Sequence, residues 1–363
     1  MKSAPFRVLV VAGLADNMLD CFVSQIVSSE EISATILRSK PGLPRERVTY
    51  LCPPNTLQRV PILTSIWKLY YSVRLGLKAD FSSVCAIFTM PHLYLAAFIS
   101  FLARKPLFYT VIASDWELKG VGPVLQKLTD KLALGASKVI VSGERAIEHL
   151  TTQGIQLKDI IKYSITELVN LDEFFPLEIE KTMDLIVLSR LVDGKNIETF
   201  IDIVAAIKET TPNIKAAIIG DGYLRNDLER YAMSLNLSES IKFYGYVSSE
   251  GDVNRILNSA KIFVFNSSHE GGPFTIPEAM AAGLCVVSSD VGEVSSIIDH
   301  GYNGYIVARY DDIDSYISII NQLLNDKSQL ERVQQRAAEI KERGKQNALA
   351  IFWQGVARSF QRS

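Results

Sequence analysis

Two glutamates with seven residues between them, Glu270 and Glu278, have the types and spacing best suited to chemistry in this sequence. Residues 261–265 (KIFVF) have the composition of a buried parallel strand, and a short helix is predicted from Thr275. Between them, a turn at 271–272 (GG) frees backbone N–H groups that can bind an anion such as a phosphate. Two carboxylates able to accept sugar hydroxyls, beside one anion site, favour a nucleotide-sugar site.

A second group of candidate residues is basic. Arg190 and Lys195 follow a predicted strand at 185–188, and two cations on one such loop suit a diphosphate group. Taken alone, such a pair is more often two solvated loop charges. Their position on the first loop of the same predicted domain as Glu270 favours a binding role.

These residues depend on elements that alternate along the whole chain. Short runs rich in Val and Ile alternate with helical patterns, which predicts parallel sheets with helices on both faces and two Rossmann-like domains. The predicted strands are 6–12, 35–37, 48–51, 84–88, 106–112, 138–141, 185–188, 215–219, 241–243, 261–265, 285–288 and 305–307. The predicted helices are 62–77, 93–103, 124–134, 197–209, 224–235, 253–257, 275–281 and 313–324, with helical segments in the tail. The domain boundary is predicted within 170–176 (NLDEFFP).

Composition excludes several classes of protein. The 363 residues carry a net charge of −2, whereas a dedicated nucleic-acid binder is usually basic. The four cysteines form no C-x-x-C pair and the four histidines show no zinc-ligand spacing, so we expect reduced thiols and no structural zinc. No signal peptide is recognised, and the longest apolar run, 93–103, is too short to cross a bilayer. A cytoplasmic protein is expected.

A local basic block departs from this balance. Residues 38–78 contain eight basic residues and one acid, Glu46, and aromatic residues interrupt a helical pattern at 66–71 (IWKLYY). This composition fits peripheral docking on an anionic membrane. A solvated helix that packs through its apolar side remains an equal alternative.

Weaker signals lie at other strand ends. Gly220 and the pair Tyr246 and Val247 follow two predicted strands, where ordinary turns are as good an explanation as ligand contacts. Gly13 follows the first strand without a G-x-G-x-x-G fingerprint, which disfavours an NAD-type dehydrogenase. The aspartates at 311–314 resemble a metal pair but directly precede a helix, so Asp311 or Asp312 is interpreted as its N-cap.

Together these motifs resemble the retaining GT-B glycosyltransferases of family 4 over nearly the whole chain. The specific part is the E-x7-E pair within 270–283 (EGGPFTIPEAMAAG). Residues 188–195 (LSRLVDGK) are similar to the family's R-x4-K loop, and 220–225 (GDGYLR) to its glycine turn.

The resemblance implies two Rossmann-like, doubly wound domains facing across a cleft. An N-terminal domain, 1–170, would bind the acceptor, 171–345 would bind the donor, and a helix within 346–363 would cross back to the first domain. Arg190 and Lys195 would hold the donor diphosphate, Glu270 would contact the transferred sugar, and Glu278 would accept the ribose hydroxyls. Further donor contacts are expected at Gly13, Gly220, Gly272, Pro273, Phe274, Thr275, Tyr246 and Val247.

The implied activity is retaining, metal-independent transfer of a sugar from a nucleotide-diphosphate sugar to a carbohydrate or lipid-linked hydroxyl. No cofactor is expected. Three departures from the family pattern stand out. Ile112 replaces a common histidine, which leaves Asp115 as the acceptor-side candidate. The usual double-glycine turn after the first strand is reduced to Gly13, and Asn196 replaces a glycine. A nucleotide-sugar-binding subunit with little activity, or a GT-B phosphorylase or epimerase, remain alternatives.

Overall fold

The computed structural model describes the backbone of residues 5–14, 16–112, 122–270, 272–344 and 347–361. The chain forms two compact units, one comprising residues 1–168 with 347–363 and the other residues 169–346. Each unit contains one parallel sheet, with helices between most successive strands. This architecture confirms the predicted α/β class.

The sheet of the first unit has seven strands in its described part. They are β1 (Phe6–Val11), β2 (Ile32–Leu37), β3 (Val48–Leu51), β4 (Ser83–Ile87), β5 (Leu107–Val111), β6 (Lys138–Ser142) and β7 (Ile160–Tyr163). Their order is β3-β2-β1-β4-β5-β6-β7, and every neighbouring pair is parallel. Successive strands therefore extend the sheet in one direction from β1 to β3 and in the opposite direction from β4 onward. Strand β7 was not predicted, because four residues at a sheet edge, one of them the exposed Lys162, give little apolar signal.

The helices described in this unit occupy the predicted positions and three further ones. They are α1 (Asp16–Ile26), α2 (Asn55–Gln58), α3 (Pro61–Lys78), α4 (Tyr94–Ala103), α5 (Pro123–Leu134) and α6 (Glu144–Thr152). The three further helices are α1, α2 and α6. Short 3-10 or π turns occur at Thr89–Leu93, Leu157–Asp159 and Ile165–Leu168. The tail helix α15 (Ala348–Gln361) packs on this unit, where the ring of Phe108 meets the rings of Phe352 and the buried Trp353.

The second unit has a six-stranded sheet. Its strands are β8 (Met183–Leu188), β9 (Ala216–Ile219), β10 (Ile241–Gly245), β11 (Ala260–Phe265), β12 (Cys285–Ser289) and β13 (Tyr305–Val307), in the order β10-β9-β8-β11-β12-β13. Its helices are α7 (Ile197–Thr210), α8 (Arg225–Ser234), α9 (Glu250–Asn258), α10 (Thr275–Ala281), α11 (Val294–Ile297), α12 (Ile313–Asn325), α13 (Lys327–Ala338) and α14 (Ile340–Gly344). All neighbouring strands are again parallel.

The core of this unit forms because its central strands are apolar on both faces. Helix α7 adds Phe200, Val204 and Ile207, whose helical spacing places three fully buried side chains against the sheet. At the start of α12, the side chain of Asp312 accepts a hydrogen bond from the N–H of Ser315 at 3.2 Å, which confirms the predicted N-cap. Such a core gives the loops at the strand ends a rigid base. Among the described helices, none is long and apolar enough to cross a membrane.

Candidate functional site

The two loops with the predicted chemistry meet at one point of the second sheet. The strand order reverses between β8 and β11, and ligands of open α/β sheets bind outside the strand ends at such a point. Lys195 lies on the loop after β8 and Glu270 on the loop after β11. The Lys195 Nζ donates a hydrogen bond to Oε1 of Glu270, and the two side chains are only 15% and 8% exposed. The structure therefore joins these residues in a buried ion pair.

Two asparagines hold the loops of this ion pair together. The Nδ2 of Asn196 donates to the carbonyl of Asn266 at 3.0 Å, and the Nδ2 of Asn266 donates to the carbonyl of Asn196. Asn196 has φ = 49°, a left-handed conformation that favours glycine and tolerates asparagine. The backbone here thus suits the family's glycine, while the asparagine adds a bridge between the loops. Nearby, the carbonyl of Gly194 accepts from the N–H and hydroxyl of Ser268 at 3.0 and 3.2 Å.

Arg190 differs from Lys195 in its surroundings. It is exposed, and its guanidinium forms no hydrogen bond or ion pair with the residues that the structure describes. The loop that carries it is held from the other side, where the hydroxyl of Tyr223 donates to the Asp193 carboxylate at 2.5 Å and accepts from the Asp193 N–H at 3.1 Å. Arg190 therefore presents an uncompensated positive charge at the end of an anchored loop.

Glu278 lies on α10, the helix that follows the loop of Glu270. Its partial burial raises its pKa from 4.5 to about 8, and the neighbouring carboxylate of Glu250 adds to this shift. A carboxyl group with this pKa keeps its proton through most of the neutral range.

The loop between Glu270 and α10 contains the other residues predicted to contact the donor, and Gly271 lies outside the described residues. The N–H of Phe274 donates to the carbonyl of Gly272 at 2.9 Å, and that of Ile276 to the carbonyl of Pro273 at 3.1 Å. The N–H of Thr275, in the first helical turn, has no acceptor inside the helix.

The glycine turn after β9 is explained by packing. A Cβ atom at Gly220, where φ is +128°, would lie 1.8 Å from the carbonyl oxygen of Ser189, and one at Gly222 would lie 2.1 Å from that of Leu191. Glycine is therefore required so that this turn can approach the loop that carries Arg190. The other predicted residues of this edge, an exposed Tyr246 and a partly buried Val247, follow β10.

We expect Gly220→Ala to destabilise the second unit by about 3 kcal/mol or more, because the added methyl group meets rigid backbone at a positive φ. Chemical denaturation measures the effect. Gly355→Ala is the matched control, since a Cβ atom there meets nothing within 4 Å and alanine favours the helix. Equal stability of Gly220→Ala and the parent would contradict this packing explanation.

In the first unit, Gly13 follows β1 at the corresponding reversal of strand order. A Cβ atom at Gly13 would lie 2.4 Å from Nε2 of His92, a buried residue that follows β4. Burial lowers the pKa of His92 to about 4, so its imidazole is neutral at pH 7. Glycine at position 13 therefore makes room for this ring. The acceptor-side candidate Asp115 lies outside the described residues.

Sequence reasoning missed three contributors to this site. Asn266 follows β11 directly, Glu250 begins α9, and Gly292 follows β12 with φ = +55°. A Cβ atom at Gly292 would lie 3.1 Å from the carbonyl oxygen of Glu270, so the β12 loop also approaches the site. Asn266 and Gly292 could have been found from the sequence, because each follows a predicted parallel strand. Within the described ranges, no group of three or more His, Cys, Asp or Glu side chains is arranged to hold a metal ion.

The segment that carries this ion pair has a recognised pattern. Residues 170–340 match the family described as "Glycosyl transferases group 1". The match covers essentially the second unit and includes Arg190, Lys195, Glu270 and Glu278.

Curated relatives with similar segments include two bacterial enzymes. The "UDP-Gal:alpha-D-GlcNAc-diphosphoundecaprenol alpha-1,3-galactosyltransferase" of Escherichia coli is 31% identical over 32% of this chain and 29% of its own length. The "Lipopolysaccharide core biosynthesis glycosyltransferase LpsE" of Rhizobium meliloti is 30% identical over 42% of each chain. The chain thus spans less than half the length of these relatives.

Solved structures are similar over nearly the whole chain. HepE of Anabaena, in complex with UDP and glucose, has a TM-score of 0.74 at 18% identity and covers 98% of this chain and 99% of its own. A glycosyltransferase of Rickettsia africae has a TM-score of 0.76 at 14% identity and covers 99% of both chains. At these identities the likeness shows the fold, which is the GT-B fold.

Proposed function

We propose that this protein transfers a sugar from a nucleotide-diphosphate sugar to a hydroxyl acceptor in polysaccharide or glycolipid assembly, with retention of configuration and without a metal ion. The observation that carries the proposal is the buried Lys195–Glu270 ion pair at the strand-order reversal of the segment that matches group 1. A second glutamate with a raised pKa, Glu278, lies on the helix that follows.

The donor's charged and polar groups are divided among these residues. Arg190, which is exposed and forms no ion pair with any described residue, binds the diphosphate most directly. Lys195 adds a positive charge that it shares with Glu270. Glu278 accepts hydrogen bonds from the ribose hydroxyls. The UDP bound in the structure of HepE supports a nucleotide-diphosphate donor.

In the proposed reaction, the bond between the anomeric carbon and the diphosphate oxygen breaks with its electron pair on the oxygen. The acceptor hydroxyl forms a bond to the same face of that carbon, and its proton passes to an oxygen of the departing phosphate. Negative charge develops on the leaving group, where Arg190 and Lys195 stabilise it, and the Glu270 carboxylate stabilises positive charge on the sugar. A two-carboxylate mechanism finds less support, because Glu278 is assigned to the ribose.

The acceptor is proposed to be a carbohydrate or lipid-linked hydroxyl, bound mainly by the first unit of a cytoplasmic protein. Support comes from the E. coli relative, whose name specifies a diphosphoundecaprenol acceptor. The tail helix α15 belongs to this unit and completes its packing.

A panel of nucleotide-diphosphate sugars, assayed by thermal shift and nucleotide release, tests the proposal. We expect one donor to stabilise the protein and to release nucleotide slowly without an acceptor. Arg190→Ala should lower the affinity for that donor about tenfold or more, because a charge-assisted contact is lost. The control Arg332→Ala, at another exposed arginine, should leave the donor affinity unchanged.

Other outcomes contradict the proposal in distinct ways. Donor binding with neither hydrolysis nor transfer would indicate a nucleotide-sugar-binding subunit. Turnover that requires inorganic phosphate would indicate a phosphorylase. Full activity that is lost with a chelator and restored by a divalent cation would contradict metal independence.

A further inference from the structure

Helix α3 of the first unit exposes its large apolar residues to solvent. Ile62, Ile66, Leu69, Val73 and Leu77 follow one another at intervals of three or four positions and therefore lie along one side of the helix. These five residues, called here the α3 stripe, are between 37% and 74% exposed. An amphipathic helix of a globular protein normally turns such a stripe towards the core.

The opposite side of α3 explains this inversion. Its buried residues are Thr64, Ser72 and Gly76. Beside them, the partly buried Trp67, Tyr71 and Leu75 pack against the core of the unit. A side chain added at Gly76 would come within 2.7 Å of Leu102 Cβ, so the small residues allow α4 to pack closely. The hydroxyls of Thr64 and Ser72 donate to the carbonyls of Leu57 and Lys68 at 2.9 and 2.7 Å. The interior of the unit is complete without the α3 stripe.

Each of the two alternatives left open for the basic block agrees with part of α3. The helix packs on the unit through the apolar side chains of Trp67, Tyr71 and Leu75, as the second alternative expects, whereas the α3 stripe is exposed. Part of the basic block is nevertheless structural. Arg38 is 7% exposed and donates to Asp16, Arg45 forms two hydrogen bonds to Asp20, and Arg47 donates to backbone carbonyls.

The charge around the α3 stripe is strongly one-sided. Between residues 47 and 112 the sequence contains one acid, Asp80, whose carboxylate pairs with Arg7 at 2.7 Å. The exposed cations on or beside α3 are Arg59, Arg74 and Lys78. In addition, α4, which packs on α3, exposes Phe98 and Phe101 at 39% and 79%. A protein with a net charge of −2 thus concentrates cations beside exposed apolar residues.

We propose that the α3 stripe and the cations Arg59, Arg74 and Lys78 dock on an anionic lipid bilayer, with α3 lying in the plane of the interface. Apolar side chains then enter the acyl boundary while the cations meet lipid phosphates. A second copy of the chain fits this face less well, because a symmetric contact brings like charges together. The inference rests on the proposed function only in that a lipid-linked acceptor gives the docking a purpose.

Vesicle flotation of the full chain, without donor, tests the inference. We expect the parent to float with vesicles of phosphatidylcholine and phosphatidylglycerol at low salt, and to bind less at high salt or with phosphatidylcholine alone. The triple variant Ile66→Ser, Leu69→Ser, Leu77→Ser should bind these vesicles at least about tenfold more weakly than the parent. Leu157→Ser, which removes an apolar residue of similar exposure (68%) outside α3, is the matched control.

Circular dichroism and thermal unfolding show whether the triple variant folds, which we expect because the substituted residues are exposed. A variant in which Arg59, Arg74 and Lys78 become glutamine should lose the salt dependence. Equal flotation of the triple variant and the parent, or no flotation of the parent at low salt, would overturn the inference. The inference would also be overturned if the parent protein formed a dimer and the triple substitution dissociated it. A chain that floats but transfers no sugar would contradict only the proposed function.

Discussion

Lys195→Met should abolish sugar transfer and also destabilise the second unit, by about 3 kcal/mol. The stability loss is expected because the substitution leaves the Glu270 carboxylate, 8% exposed, without its cation. Glu270→Leu alone leaves the Lys195 ammonium unpaired and should also be destabilising. The double variant should recover most of the stability, since two apolar side chains replace the pair, but should remain inactive.

Denaturant unfolding and nucleotide release of the four proteins measure this double-mutant cycle. Lys261→Met is the control for an ordinary ion pair, because Lys261 and Asp184 are 38% and 19% exposed and the loss should stay near or below about 1 kcal/mol. Additive stability effects would show that Lys195 and Glu270 are not coupled. Transfer at the parental rate in either single variant would show that the site assignment is wrong.

Glu278→Gln should raise the free energy of unfolding by about 2–4 kcal/mol at pH 9 and hardly change it at pH 4. The folded state raises the pKa of Glu278 from 4.5 to about 8, chiefly through burial. The folded protein thus holds this proton more tightly than the unfolded chain, and stability falls as the pH rises between these values. Glutamine removes the ionisation and with it this part of the pH dependence.

Thermal unfolding of the parent and Glu278→Gln from pH 4 to pH 9 measures the difference. Glu250→Gln is the control, because it removes only the smaller cause of the shift and should produce a smaller change of the same sign. Parallel stability profiles for the parent and Glu278→Gln would contradict the raised pKa.

Under the proposed function, the same carboxyl group should link donor binding to pH. Ribose hydroxyls that donate to Glu278 would favour its charged form, so donor binding at pH 7 should release a proton. Calorimetry in two buffers with different ionisation enthalpies detects this proton. Glu278→Gln should bind the donor more weakly and release none. Proton release that persists in the variant would assign it to another group.

Much of the fold was predictable from local patterns. Strand β13 and helix α10 were predicted with the bounds that the structure gives, because buried parallel strands and short helices have distinct apolar runs. Strand β7 and helices α1, α2, α6 and α11 were missed. Helix α1 mixes polar and apolar residues, and its amphipathic pattern is short.

The candidate site was predictable in part, because parallel strands bring their carboxyl ends to one edge of a sheet. That rule places Arg190, Lys195 and Glu270 at the same edge. It does not reveal that Lys195 and Glu270 form an ion pair, since 75 residues separate them and the strand order decides which loops touch. The reciprocal hydrogen bonds of Asn196 and Asn266 depend on the same contact.

Local sequence periodicity therefore establishes which segments of this protein are strands and helices and which polar residues lie at strand ends. It also identifies Glu270 and Glu278 as a pair with a family spacing. Only the tertiary structure pairs Glu270 with Lys195, partly buries Glu278 and leaves the α3 stripe exposed. The physical reason is that periodicity records which residues share a face, whereas the packing of neighbouring elements decides what that face meets. For α3, that decision rests on Gly76, whose missing side chain lets α4 approach from the other side.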